Sequence, residues 1–148
     1  MSHGARGQMI VWVAVMLPLV FLPIAGLMID AGVMFDAKRE LQGMADGAAR
    51  VGGMEINRGL LHNTVRNPRG TVTLDQGEAE ARAREYLTRI GFRGPEAARI
   101  RVEPEFIEVV LSREVRPGFL RLVHVNAVTI HATGRAAPCA AVVGNDCT

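Results

Sequence analysis

The chain opens with an uncharged, largely apolar run over residues 9–29, and a periodic mixture of apolar and polar residues follows it directly. A helix of that length is about 31 Å long, close to the hydrocarbon thickness of a bilayer. A helix satisfies its own backbone hydrogen bonds, which lipid cannot do. The pattern therefore predicts a transmembrane helix, with kinks at Pro18 and Pro23 because proline removes a backbone donor.

The charges that flank the run predict its orientation. Arg6 precedes it, and Asp30 is the first charged residue after it, which makes Asp30 the predicted membrane boundary. The positive-inside rule favours cytoplasmic residues 1–8 and an extracytoplasmic remainder of the chain. A cleaved signal peptide is the main alternative, but the run exceeds the usual apolar length and no clear A-x-A site follows it. A buried helix of a soluble protein is a weaker alternative, because the remaining chain is too small to surround it.

Beyond Asp30, apolar residues recur every three or four positions, which predicts that the helix continues to about residue 57. These positions are Val33, Ala37, Leu41, Met44, Ala48 and Val51. Gly52-Gly53 is the first candidate stop. Pairs of small residues lie four apart and allow close packing by another element, which is either the protein's own sheet or a helix of an assembly; they are Gly43 with Gly47 and Ala48 with Gly52.

Residues 58–135 are expected to form a small α+β domain. A loop over residues 58–70 precedes a short predicted strand from Thr71 to Leu74. Asp75 is a candidate N-cap for a second helix that ends near Ile90, because a carboxylate accepts hydrogen bonds from free amides of the first turn.

The second half of this domain has the alternation of β-strands. Strands are predicted over residues 99–103, 106–115 and 124–133, with a hairpin at Pro104 and with Ile107, Val109 and Leu111 on the core face of the second strand. Residues 119–123 are expected to form a short helical turn after Pro117-Gly118. The expected fold is thus α+β, a small antiparallel sheet that has the second helix and the inner end of the long helix on one face.

Composition and motifs favour no chemical activity. The net charge is +2 and aromatic residues are few, which argues against a nucleic-acid partner. No motif of a nucleophilic, metal-dependent or phosphate-binding site is present, and His124 and His131 fall on opposite faces of a regular strand. We therefore expect no catalytic residues, no metal, no cofactor and no small-molecule substrate.

Two cysteines lie near the end of the chain, in a predicted tail over residues 136–148. Cys139 and Cys147 enclose a short loop that can close as a disulfide in an oxidising compartment. The alternative is two free thiols. The predicted topology favours the disulfide, since it places the tail outside the cytoplasm.

Several short segments resemble one family of pilus proteins. They are Arg6-Gly7-Gln8 before the apolar run, Leu17-Pro18 within it, Ile29-Asp30-Ala31-Gly32 at its end, Lys38-Arg39-Glu40-Leu41-Gln42 and Ala45-Asp46-Gly47-Ala48-Ala49. In these segments the N-terminal third resembles the TadE/TadG-like proteins of the tight-adherence (Flp) pilus system. Pro117-Gly118-Phe119 extends the likeness more loosely.

The resemblance implies a minor pilin or pseudopilin in the bacterial inner membrane, with lipid and other pilus-assembly proteins as partners. It also implies a candidate peptidase cleavage site between Gly7 and Gln8, although Trp12 stands where pilins carry a glutamate. An alternative is a membrane-anchored accessory or adaptor of a secretion system that never enters a filament.

Overall fold

The computed structural model describes residues 4–56, 73–92 and 97–138, which form an α+β fold. Helices α1 (Gly4–Gly53) and α2 (Gln76–Arg89) come first along the chain. Strands β1 (Ala98–Val102), β2 (Ile107–Val115) and β3 (Val128–Ala136) follow, with a 3₁₀ helix (Leu120–Val123) between the last two. The predicted fold class is confirmed.

The chain divides into two compact units. The first combines residues 4–37 with Glu114–Val128, and it contains the apolar part of α1 and the 3₁₀ helix. The second combines Lys38–Arg113 with residues 129–138, and it contains the hydrophobic core.

Helix α1 is continuous over 50 residues and includes Pro18 and Pro23. It ends at Gly53, so the first candidate stop is correct and the expected extension to residue 57 is wrong. The amides after Gly53 bond to carbonyls only two or three residues back, as when Glu55 N donates to Gly52 O at 3.1 Å. Ile56 then pairs with Leu74 in an isolated β-bridge, which takes the chain out of the helix.

Helix α2 begins where the sequence predicts. Asp75 is its N-cap, and the Asp75 Oδ1 atom accepts a hydrogen bond from Glu78 N at 3.3 Å. Just after the helix, Gly91 has a φ of 73°, in the left-handed region that glycine adopts without a steric penalty. The helix buries one apolar stripe, formed by Ala79, Ala83 and Leu87.

The sheet has the order β1-β2-β3 and is antiparallel, as expected. Strands β1 and β2 form the predicted hairpin, with Ala98 opposite Leu111 and Val102 opposite Ile107. Alternate residues of β2 point into the core, and three of them are completely buried: Ile107, Val109 and Leu111. The predicted core face of this strand is therefore correct.

The core joins α1, α2 and this face of the sheet. Helix α1 contributes Leu41, Ala45, Ala48 and Ala49, all with no exposed surface. Strand β3 crosses very close to α1, since a Cβ atom at Gly134 would overlap the backbone of Ala45. At the same place Gln42 Nε2 donates a hydrogen bond to Thr133 O at 2.8 Å, which occupies a carbonyl of this edge strand.

Two predicted strands differ from the structure. Strand β3 begins at Val128 and not at His124, because the backbone of His124 is left-handed, with a φ of 67°. The amides of His124 and Val125 bond back to the 3₁₀ helix at 3.1 Å and so are not available to a sheet. In the predicted strand over residues 71–74, Leu74 forms only the single bridge to Ile56, and residues 71 and 72 lie outside the described residues.

Some expectations concern residues outside the described ranges. They are the loop over residues 58–70 and the pair Cys139 and Cys147. The loop and the disulfide remain predictions.

Candidate functional site

The first unit contains the one buried charged side chain among the described residues, that of Asp30. Asp30 directly follows the apolar run of α1, and 4% of its surface is exposed. A carboxylate removed from water is costly unless hydrogen bonds replace the lost hydration. Its surroundings are therefore the natural starting point for a site.

Backbone amides before and at the start of the 3₁₀ helix supply these hydrogen bonds. Gly118 N donates to Asp30 Oδ1 at 2.8 Å, and Leu120 N donates to Asp30 Oδ2 at 2.7 Å. The residue at the N-cap of the 3₁₀ helix, Phe119, makes no side-chain capping bond itself. A side chain distant in sequence thus satisfies amide donors at this helix end, through charge-assisted bonds.

Two glycines make this arrangement possible. The ring of Phe119 lies directly on Gly26, one turn before Asp30, and a Cβ atom at Gly26 would overlap the ring. At Gly118, an added Cβ atom would lie 3.3 Å from Asp30 Oδ1, a tight contact. We call these five residues, Gly26, Asp30, Gly118, Phe119 and Leu120, the Asp30 site.

Sequence reasoning identified Asp30 only as a boundary and missed its partners. The two halves of the site were both visible, as Ile29-Asp30-Ala31-Gly32 and Pro117-Gly118-Phe119, but they lie about ninety positions apart. The available signal was chemical, because a carboxylate at the edge of a long apolar run needs donors.

The apolar run itself has almost no cover from the described part of the chain. Its large side chains are exposed around the helix, as Leu19 at 64% and Met28 at 70% illustrate. Within the described residues, one helix is long and apolar enough to cross a membrane, and this run is its apolar part. An exposed apolar surface on all sides of a helix is typical of a segment that is buried in lipid or among other helices.

The predicted packing residues lie in the second unit, and three of them face its own elements. A Cβ atom at Gly47 would meet the Tyr86 ring, and one at Gly52 would meet Ile107 and Ala79 O. Ala48 is fully buried in the core. Gly43 differs, since its surroundings are open to at least 4 Å. The structure thus favours packing within the chain for Gly47, Ala48 and Gly52, while packing of Gly43 in an assembly stays a prediction.

On the polar surface that the structure describes, few side chains that could bind a metal or carry out catalysis lie close together. No group of three or more metal-ligating side chains occurs in the described ranges. A hollow of about 260 Å³ on the outer sheet face is lined in part by Arg99, Ser112 and His131. The Ser112 hydroxyl donates a hydrogen bond to Ala97 O at 3.1 Å, so this donor already has a backbone acceptor.

Comparison with known proteins finds a family match for the N-terminal part of the chain. Residues 7–55 match a family described as "Putative Flp pilus-assembly TadE/G-like". The matched segment covers most of α1, includes Gly26, Asp30 and Gly43, and confirms the resemblance in the N-terminal third. No significant match was found among curated proteins or among solved structures.

Proposed function

Taking the TadE/G-like family of residues 7–55 as the premise, we propose that the protein is a minor pilin or pseudopilin of a tight-adherence pilus system. One observation carries the proposal. A single unbroken helix has an exposed apolar part, and its later part is built into the core of a small domain. In this role the protein acts by assembly and not by catalysis.

In the proposed arrangement, residues 9–29 cross the bacterial inner membrane. Residues 1–8 face the cytoplasm, and the α+β domain lies on the opposite side. The supporting observations are the absence of charge in the run, Arg6 before it and Asp30 directly after it. The lipid bilayer is then the first partner, because it covers the exposed apolar side chains.

Other pilins or pilus-assembly proteins are the proposed second partner. A helix that satisfies its own backbone hydrogen bonds can leave lipid for a filament core without breaking them. Gly43 is a suitable contact point, since it is exposed on α1 and a Cβ atom added there would meet no other part of the described structure within 4 Å. A neighbouring helix can approach closely at a residue that has no side chain.

Replacing Gly43 with leucine tests this contact. The change should strongly reduce the amount of protein in sheared filaments, since the new side chain would block close approach of another helix. The fold should be intact, because the site is open in the chain itself. Arg50→Leu is the matched control, as it adds the same side chain at another exposed position of α1 and should leave assembly unchanged.

The outcome should be followed by immunoblots of sheared filaments and of membranes. Unchanged filament content of Gly43→Leu would contradict packing at this residue. Gly47 is unsuitable for the test, because leucine there would collide with Tyr86 and disturb the fold.

The accessory or adaptor role is the second candidate, and the exposed apolar run suits it equally well. An adaptor should stay entirely in the membrane fraction, whereas a minor pilin should also appear in sheared filaments. Mass spectrometry of both fractions would separate the two roles. It would also show whether the mature chain begins at Gln8 and whether Cys139 and Cys147 are bonded.

A further inference from the structure

Exposed apolar side chains outside α1 are concentrated in one short segment. Among the described residues outside α1, six large hydrophobic residues are exposed, and four of them lie within residues 119–125: Phe119, Leu122, Val123 and Val125. Leu122 and Val123 belong to the 3₁₀ helix and are 75% and 66% exposed. We call residues 116–125 the apolar loop. A soluble surface rarely concentrates apolar groups in this way without a partner.

The Asp30 site places this loop beside the end of the apolar run. The carboxylate of Asp30 holds the amides of Gly118 and Leu120, and Phe119 lies on Gly26. The residues just before Asp30 are themselves strongly exposed and apolar, with Ile29 at 64%. The apolar surface of the loop therefore lies beside the last turn of the apolar run. The medium that covers this turn of the run should also reach the loop.

The charges of the loop favour one medium. Residues 116–125 contain Arg116, Arg121 and His124 and no acidic residue. Apolar side chains combined with basic ones suit the layer between hydrocarbon and water, where anionic headgroups lie above the acyl chains. Long basic side chains can also extend from an apolar surface to the headgroups.

We propose that the apolar loop inserts into the headgroup layer of the same bilayer that the helix crosses, as a second, shallow membrane contact. This inference rests on the membrane-anchored arrangement proposed above. In it, Leu122 and Val123 enter the outer edge of the acyl chains, and Arg116 and Arg121 contact lipid phosphates. Asp30 sets the depth of the loop through its two backbone bonds.

The test uses the full chain in vesicles of phosphatidylcholine and phosphatidylglycerol, with Cys139 and Cys147 replaced by serine. An environment-sensitive fluorophore is attached to a single cysteine at Leu122→Cys. Arg101→Cys, on the exposed face of β1, is the control for water, and Leu19→Cys is the control for deep lipid. Protein is kept below one chain per vesicle, so that a second copy cannot cover the loop.

We expect emission from position 122 to be blue-shifted relative to position 101. Quenching by iodide in the water phase should be several-fold weaker at 122 than at 101. Lipids spin-labelled near the headgroup should quench 122 most strongly, and deeply labelled lipids should quench 19. Equal iodide quenching at 122 and 101, with 19 protected, would overturn the loop contact and leave the anchored arrangement standing.

If position 19 is also open to iodide, the helix has not inserted, and both the anchored arrangement and the loop contact fall. The fluorophore at position 122 could instead be protected from iodide in purified filaments but open to iodide in dilute vesicles. This result would assign the loop to a protein partner and overturn the lipid contact. Arg121→Glu provides an independent variant, since it should raise quenching at 122 by acrylamide, a neutral quencher in the water phase, because glutamate repels anionic headgroups. An unchanged value would count against the charge contribution.

Discussion

At the scale of single residues, Asp30 shows how a buried charge can organise a chain. The carboxylate lies at the end of an apolar run and accepts two short backbone hydrogen bonds. Hydrogen bonds to charged groups are stronger than those between neutral groups, and amides left without an acceptor lose stability when they are buried. Asp30 therefore holds residues 118–120 in place. The backbone donors in turn offset the free-energy cost of burying its carboxylate.

Replacing Asp30 with alanine should release the amides of Gly118 and Leu120. The expected loss of local stability is about 1–3 kcal/mol per unsatisfied group. Hydrogen exchange of the full chain in detergent should show weaker protection at these two amides, by roughly ten-fold or more. Asp36→Ala removes an exposed carboxylate of the same helix and should leave both amides as protected as before. Unchanged protection in Asp30→Ala would show that the two bonds do not hold the loop.

At the scale of elements, periodicity predicted most of the fold. The alternation in β2 placed Ile107, Val109 and Leu111 in the core, and the long helix and its glycine stop were also readable. These predictions succeeded because each depends on neighbours within a few residues. The start of β3 was missed, since the left-handed backbone at His124 results from bonds to the preceding 3₁₀ helix.

The candidate site was harder to predict than its elements. Asp30 and Pro117-Gly118-Phe119 were each noted, but nothing local in either segment links a helix to a loop about ninety residues later. Likewise, Gly47, Ala48 and Gly52 of α1 were predicted as packing positions, while their partners were left open between the domain and an assembly. Only tertiary contacts, such as Tyr86 at Gly47, distinguish these cases.

The crossing of β3 over α1 gives a prediction at this scale. Gly134→Ala should destabilise the second unit by about 1–3 kcal/mol, because the new methyl group would overlap the backbone of Ala45. Urea unfolding of the full chain in detergent, followed by circular dichroism, would measure the loss. The matched control, Gly43→Ala, adds a methyl group in open space and should gain about 0.5–1 kcal/mol from helix propensity. Equal effects of the two changes would exclude the close crossing.

At the scale of the whole molecule, apolar surface is divided very unevenly. The core of the second unit is enclosed by its own elements, whereas the apolar part of α1 is left exposed. Hydrophobic burial stabilises in proportion to the area removed from water, so the exposed run needs a medium that the described part of the chain does not supply. Under the proposed function, lipid or other helices would cover this surface.

A shortened chain that begins at Asp30 should therefore lose the requirement for detergent. It removes the apolar run but keeps the core residues and the carboxylate that binds Gly118 and Leu120. Centrifugation without detergent should leave this fragment in the supernatant, while the full chain should pellet. A fragment that pellets as the full chain does would place the insoluble surface outside residues 9–29.

The hydrogen bond from Gln42 to Thr133 has a consequence for crowded surroundings. An edge strand with free carbonyls and amides invites the same strand of another molecule to anneal to it, and this is a common start of aggregation. Here the Gln42 side chain of helix α1 already occupies the Thr133 carbonyl of such a strand. If copies are concentrated in one membrane, as the proposed function requires, this bond leaves one acceptor fewer for sheet-to-sheet association.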